Sequence, residues 1–142
     1  MNSSAIIKQY ADAEHSDVVR NLEGPHIVSA LARVEVAAAL WRKHRMGQLS
    51  LENTALLTKA FDGDWFDPEA NWCWHQSIEP GEVILDAAIQ FAGLHGLRAY
   101  DAVELATAVA APVEVPECTT FVAFDQQLRR AVVALGFSIL PA

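Results

Sequence analysis

The 142-residue chain sets 10 Lys+Arg against 18 Asp+Glu, a formal charge of −8, and is 52% hydrophobic and 20% charged. That balance excludes a disordered polymer and a basic coat that binds nucleic acid without regard to sequence, and the length fits one domain over residues 1–142. No apolar run approaches the ~20 residues of a membrane span, no signal peptide opens the chain, and two cysteines, Cys73 and Cys118, cannot build a disulfide framework, so a cytoplasmic protein with no membrane partner is expected.

In chain order, a short helix is predicted over Ser3 to Tyr10, and a second, capped by Ser16 or Asp17, up to Asn21. His26 to Ser29 is a short apolar run after Pro25 and reads as a buried strand. Leu31 to Met46 reads as a long helix whose last turns carry Arg42, Lys43, His44 and Arg45, where cations complement the negative end of the dipole. Another helix runs from Ser50 to about Phe61, before Asp62-Gly63-Asp64. The stretch Asp64 to His75 packs Trp65, Phe66, Trp72 and Trp74 around Pro68 without a clear period, and His75 to Glu79 suggests a short strand. Gly81 to His95 is helical, with Gly96 as the residue that ends it. A helix follows from about Ala99 to Ala111, a buried strand over Thr119 to Phe124, a helix capped by Asp125 and ending before Gly136, and a last strand over Phe137 to Leu140. Helices alternating with short buried strands predict an α/β fold, a parallel sheet between helical layers with its site at the carboxyl ends of the strands.

The informative residues are carboxylates in apolar surroundings. Glu35 has Leu31, Ala38 and Ala39 as helical neighbours, and a lone Glu on such a face is costly to bury. Asp101 shares its side with Leu97, Leu105 and Ala108, and Glu104 lies one turn on. Asp125 directly follows an apolar strand. Inward-facing acids that meet repel one another unless a cation intervenes, and a hard divalent ion with oxygen ligands, Mg²⁺ or Mn²⁺, suits them. Each acid also has a structural reading: Asp125 as a helix cap, Asp101 as an acid favoured at a helix start, Glu35 as the partner of Arg42.

Four segments, in order, resemble the PIN-domain family, and within it the VapC-type toxin ribonucleases of toxin–antitoxin pairs. They are Asn2-Ser3-Ser4-Ala5-Ile6-Ile7-Lys8, Ser29 to Ala37 around Glu35, His95 to Ala108 around Tyr100-Asp101-Ala102, and Phe121-Val122-Ala123-Phe124-Asp125-Gln126-Gln127-Leu128. The resemblance implies a three-layer sandwich with a central parallel sheet flanked by helices. It implies an acidic site for Mg²⁺ or Mn²⁺ that cleaves RNA, a homodimer, and a cognate antitoxin that blocks the site. Glu35, Asp101 and Asp125 would be the catalytic and metal residues, with Ser4 and Glu104 supporting them, and Arg98 a weaker phosphate contact. Arg42 and Arg45 are further candidates for an RNA track, against the simpler reading of a solvated helix end.

The chain departs from the family at its start. Position 2 is Asn where the family has Asp, so the metal position there is degenerate. The apolar strand that precedes that residue in the family, the central one of the sheet, is truncated to Met1. Its absence is expected to leave a gap between two parallel neighbours and to expose apolar surface, and the lost charge to weaken activity. The alternative function is a non-catalytic binding module of the same fold. Cys73 and His75 form a C-x-H pair too poor in partners for a zinc site, and Trp65, Trp72 and Trp74 are read as packing on the core in preference to stacking on bases. The dimer face is expected on the helices of 3–21 and 31–61, which display Trp41, Leu51, Leu56 and Leu57.

Overall fold

The computed structural model describes residues 1–22, 26–67 and 76–142. In order they form α1 (Ser3–Tyr10), α2 (Ser16–Arg20), β1 (Ile27–Ser29), α3 (Ala32–Arg45), α4 (Leu51–Phe66), β2 (Gln76–Ile78), α5 (Glu82–His95), α6 (Ala99–Glu114), β3 (Thr120–Val122), α7 (Gln126–Ala134) and β4 (Ser138–Leu140). Trp72, Cys73, Trp74 and His75 lie outside the described residues, and so do Gly24 and Pro25.

The helix ends follow local chemistry. Ser50 caps α4 through its hydroxyl, which accepts from the Asn53 N–H at 3.0 Å. Asp125 caps α7, its Oδ1 accepting from the Gln127 and Leu128 N–H groups, both at 2.9 Å. Gly96 closes α5 in the left-handed region at φ 64°, where a side chain would be strained. A Cβ there would also lie 2.7 Å from Gln127 Nε2, whose amide donates to the His95 and Gly96 carbonyls at 2.9 and 2.8 Å.

Three boundaries differ from the sequence reading. α4 runs on through Asp62-Gly63-Asp64 to Phe66. Phe61 is buried on that helix, Trp65 meets it edge-on at 5.7 Å between ring centres, and Tyr10 from α1 donates to Asp64 Oδ2 at 2.8 Å. Tertiary packing thus overrides a weak local break. α6 continues past Ala111 to Glu114 with Pro112 inside it, and the Val115 N–H closes on the Ala111 carbonyl at 2.9 Å. Neither Ser16 nor Asp17 is the cap of α2: His15 holds that position at φ 63°, while the Ser16 hydroxyl bonds back to Ala13.

The strands pair in two parallel ribbons. β1 pairs with β2, Val28 opposite Ser77, and β3 pairs with β4, Phe121 opposite Ile139. The ribbons are joined at one point by the start of the chain. The Met1 amine donates to the Ile27 carbonyl at 3.0 Å and the Asn2 N–H to the Val122 carbonyl at 3.1 Å. The expected gap is present, since no strand pairing joins the two ribbons among the described residues, but the expected exposed apolar surface is not: Val28 and Phe121 are 1% and 2% exposed, and the crevice they line with Met1, Thr107 and Cys118 holds about 10 Å³. That volume is about one water. α6 packs along β1, and Thr107, Ala108 and Ala111 from α6 with Phe121 from β3 line what remains of the space.

The core has one large cluster of α5, α6, β3 and α7, centred on Leu105, Phe121 and Leu128, and a second of α1, β1, α3 and α4, centred on Ile6, Leu40 and Phe61. The first residues of α1 and α6 meet between the two clusters, and that junction is where the acids collect.

Candidate acidic site

Position 2 sets the local frame. Asn2 is 1% exposed and caps α1; its Oδ1 accepts from the Ser4 hydroxyl at 2.5 Å and from the Ala5 N–H at 3.2 Å. An amide oxygen has two lone pairs, so both are spent inside the first turn. The next N–H, that of Ser3, donates to Glu104 Oε1 at 2.6 Å, which reaches across from α6. The positive end of α1 therefore faces a carboxylate.

Glu104 is 4% exposed, and its second oxygen, Oε2, is buried with no hydrogen-bond partner. Burial, and then the charge of Glu35, push its pKa up to about 8. Glu35, in the first turn of α3, lies beside it, and Glu35 Oε2 is likewise buried and unpartnered. Burial raises the Glu35 pKa, Asp101 adds to the rise, and hydrogen bonds with the Ser3 side chain and Glu104 pull the other way. Asp101, in the first turn of α6, is raised by burial first and by Asp125 second, with Arg98 acting against both. The four acids thus form a row, Glu104 to Glu35 to Asp101 to Asp125, each felt electrostatically by the next.

The row is not a finished cage. Among the described residues, no three His, Cys, Asp or Glu side chains are gathered so as to hold a metal ion by themselves. Asp125 is exposed and commits Oδ1 to capping α7. The donor set nevertheless suits a hard cation: a buried and a half-buried carboxyl group side by side, close enough to hydrogen-bond when one is protonated, need either that shared proton or a positive charge between them. Mg²⁺ is commonly held by one or two carboxylates, with waters completing its shell.

The candidates from sequence fall into three groups. Glu35, Asp101, Asp125 and Glu104 come together. Ser4 reaches the site only through Asn2. Arg98 is exposed at the cap of α6, near enough to Asp101 to lower its pKa. Arg42 and Arg45 are exposed in the last turns of α3, about 10 and 15 Å along the helix axis from Glu35 at 1.5 Å per residue. The structure does not bring them to the acids, and Glu35 makes no ion pair with Arg42 among the described residues.

Two participants were not anticipated. Ser3, beside the expected Ser4, supplies both its N–H and its side chain to the two glutamates; its place as the first residue of a capped helix was the available signal. The Met1 amine, on a half-buried residue, lies close enough for Glu104 to raise its pKa, although burial lowers it more. A scan against protein-family models finds no match to this chain, and a search of curated proteins finds none either.

Proposed function

We propose that the chain is a metal-dependent endoribonuclease of the PIN, VapC-like kind, hydrolysing RNA phosphodiester bonds at the row of acids. The observation that carries this reading is the pair formed by the buried Glu104 and the half-buried Glu35, each with one inaccessible oxygen that accepts from no N–H or hydroxyl, continued by Asp101 and Asp125. Without a cation the pair must hold a proton between its carboxyl groups, since burying an unpaired carboxylate is costly; a bound cation displaces that proton.

In this reading Glu35, Asp101 and Asp125 hold Mg²⁺ or Mn²⁺ directly or through water. When bound, the ion lowers the pKa of a coordinated water and neutralises charge on the phosphate. The protein's own part is placement. The Ser3 N–H fixes the Glu104 carboxylate, Asn2 and Ser4 order the first turn of α1, and the α7 cap holds Asp125 at the end of β3. Arg98, exposed beside Asp101, is the weaker candidate for a phosphate contact in this reading. The two ribbons belong, in this reading, to one central sheet between helical layers. No helix among the described residues is long and apolar enough to cross a membrane. Val34, Leu51 and Leu56, at 60 to 63% exposed, with Trp41 at 37%, give the α3–α4 side an apolar surface for a second copy or a cognate antitoxin, in a cytoplasmic setting.

A non-catalytic binding module is favoured by one feature, the amide at position 2 with both acceptor sites spent. RNA cleavage assayed with and without Mg²⁺, for this chain, Asn2→Asp and Asp101→Ala, separates the two. The nuclease reading predicts metal-dependent cleavage that rises with Asn2→Asp and disappears with Asp101→Ala. Cleavage by neither the chain nor Asn2→Asp, or cleavage untouched by Asp101→Ala, contradicts it.

A further inference from the structure

We infer that Glu104 is a direct ligand of the cation, paired with Glu35, and supplies the carboxylate that position 2 lacks. This rests on the metal-dependent reading above and changes which residues carry it. Asn2 cannot serve as it stands, because its Oδ1 already accepts from the Ser4 hydroxyl and the Ala5 N–H. Its side-chain nitrogen is a donor and repels a cation.

Glu104 reaches the same place from another element. It lies one turn beyond Asp101 on α6, and its Oε1 is anchored 2.6 Å from the Ser3 nitrogen, the residue immediately after Asn2. Anchoring one oxygen fixes the direction of the other. Oε2 is buried and unpartnered, and so is Oε2 of Glu35 beside it. A carboxylate needed only to cap α1 would satisfy the Ser3 N–H without a second carboxylate packed against it at 4% exposure. The two oxygens come from different helices, α3 and α6, and an ion held by two carboxylates would take water in its remaining positions. The acid count is therefore preserved, with the first acid moved from α1 to α6.

Titration calorimetry with Mn²⁺ on the unmodified chain, E104Q, N2D and the N2D/E104Q double variant tests this. Gln keeps the acceptor for Ser3 and cannot ionise, so E104Q is expected to weaken Mn²⁺ binding at least about 10-fold while its melting temperature without metal is not lowered. N2D in the E104Q background is expected to recover most of the loss. A structural role alone predicts no change in Mn²⁺ affinity, and E104Q binding as tightly as the unmodified chain overturns the inference while leaving the metal reading intact. No Mn²⁺ binding by the unmodified chain overturns both. Amide broadening by sub-stoichiometric Mn²⁺ in the unmodified chain needs no variant. The Ser3 resonance is expected to broaden at least as strongly as that of Leu128, and broadening at Leu128 without Ser3 places the ion at Asp125 and overturns the inference. Mn²⁺ binding that depends on Glu104, with no RNA cleavage, upholds the inference and sets aside the nuclease.

Discussion

An amide at position 2 leaves the first turn of α1 electrically quiet, and a carboxylate there would not. Asn2 is 1% exposed, and Asp in its place would add a third buried acid beside Glu104 and Glu35. Asn2→Asp is therefore expected to lower the melting temperature in EDTA, and to show a larger rise than the unmodified chain when Mg²⁺ is added. Equal changes for both proteins would place position 2 outside the site. The pH dependence has a definite sign. Glu104 is raised from 4.5 to about 8, so between those values the folded chain keeps a proton that the unfolded chain has released. That contribution is fully present below 4.5 and is lost as pH rises through 8, at about 1.4 kcal/mol for each pH step of one between them. Glu35 and Asp101, also raised, act in the same direction. The Met1 amine, lowered below 8.0 by burial, opposes them, because the unfolded amine binds a proton that the folded one resists. Thermal melts in EDTA from pH 5 to pH 8 are expected to show falling stability, flattened in E104Q. A rise with pH, unchanged in E104Q, would show that Glu104 is not held protonated by the fold.

At the scale of elements, the connections between helices and strands carry specific loads. Gly96 ends α5 with a positive φ and lies under the Gln127 amide, which ties α5 to α7. Gly96→Ala is expected to cost about 1–2 kcal/mol from the left-handed backbone alone, more with the Gln127 contact, read by urea denaturation. Arg129 on α7 donates to the Ala123 carbonyl at 2.8 Å and to the Pro141 carbonyl at 2.7 Å, holding the end of β3 to the end of the chain. Arg129→Ala is expected to cost about 2–3 kcal/mol by leaving half-buried carbonyls without a charged donor, and a loss under about 0.5 kcal/mol would mean water replaces it fully. These elements also show what was legible beforehand. The ends of α5 and α7 were readable because Gly96 and Asp125 act through their own local geometry. Glu35 and Asp101 were readable as inward acids because helical spacing sets their neighbours. The continuation of α4 through Gly63 was not, since it depends on Tyr10 of α1, which packs on Phe61 and bonds to Asp64 from outside the local window. The part played by Ser3 was not legible either, because its partner lies 101 residues away.

Across the molecule, the −8 charge is partly concentrated where the two core clusters meet, and that concentration is the account's central feature. Among the described residues the parallel ribbons stay unpaired, as the missing central strand predicts, but Met1 and Asn2 bond to one each, so the start of α1 is braced from both sides and the apolar surface between the ribbons is covered. Strand order and strand contact are long-range properties, and three-residue strands carry too little pattern to fix them in advance. A braced acidic junction of this kind repels RNA unless a cation lies between carboxylate and phosphate, so the proposed nuclease requires metal and substrate to be coupled. The most direct test is cleavage of a single-stranded or loop RNA by the purified chain across a Mg²⁺ titration, with Asp101→Ala alongside. The account predicts cleavage that appears with Mg²⁺, vanishes in EDTA and is lost in Asp101→Ala. Cleavage that persists in EDTA or in Asp101→Ala, or none at any Mg²⁺ concentration from either this chain or Asn2→Asp, would contradict it.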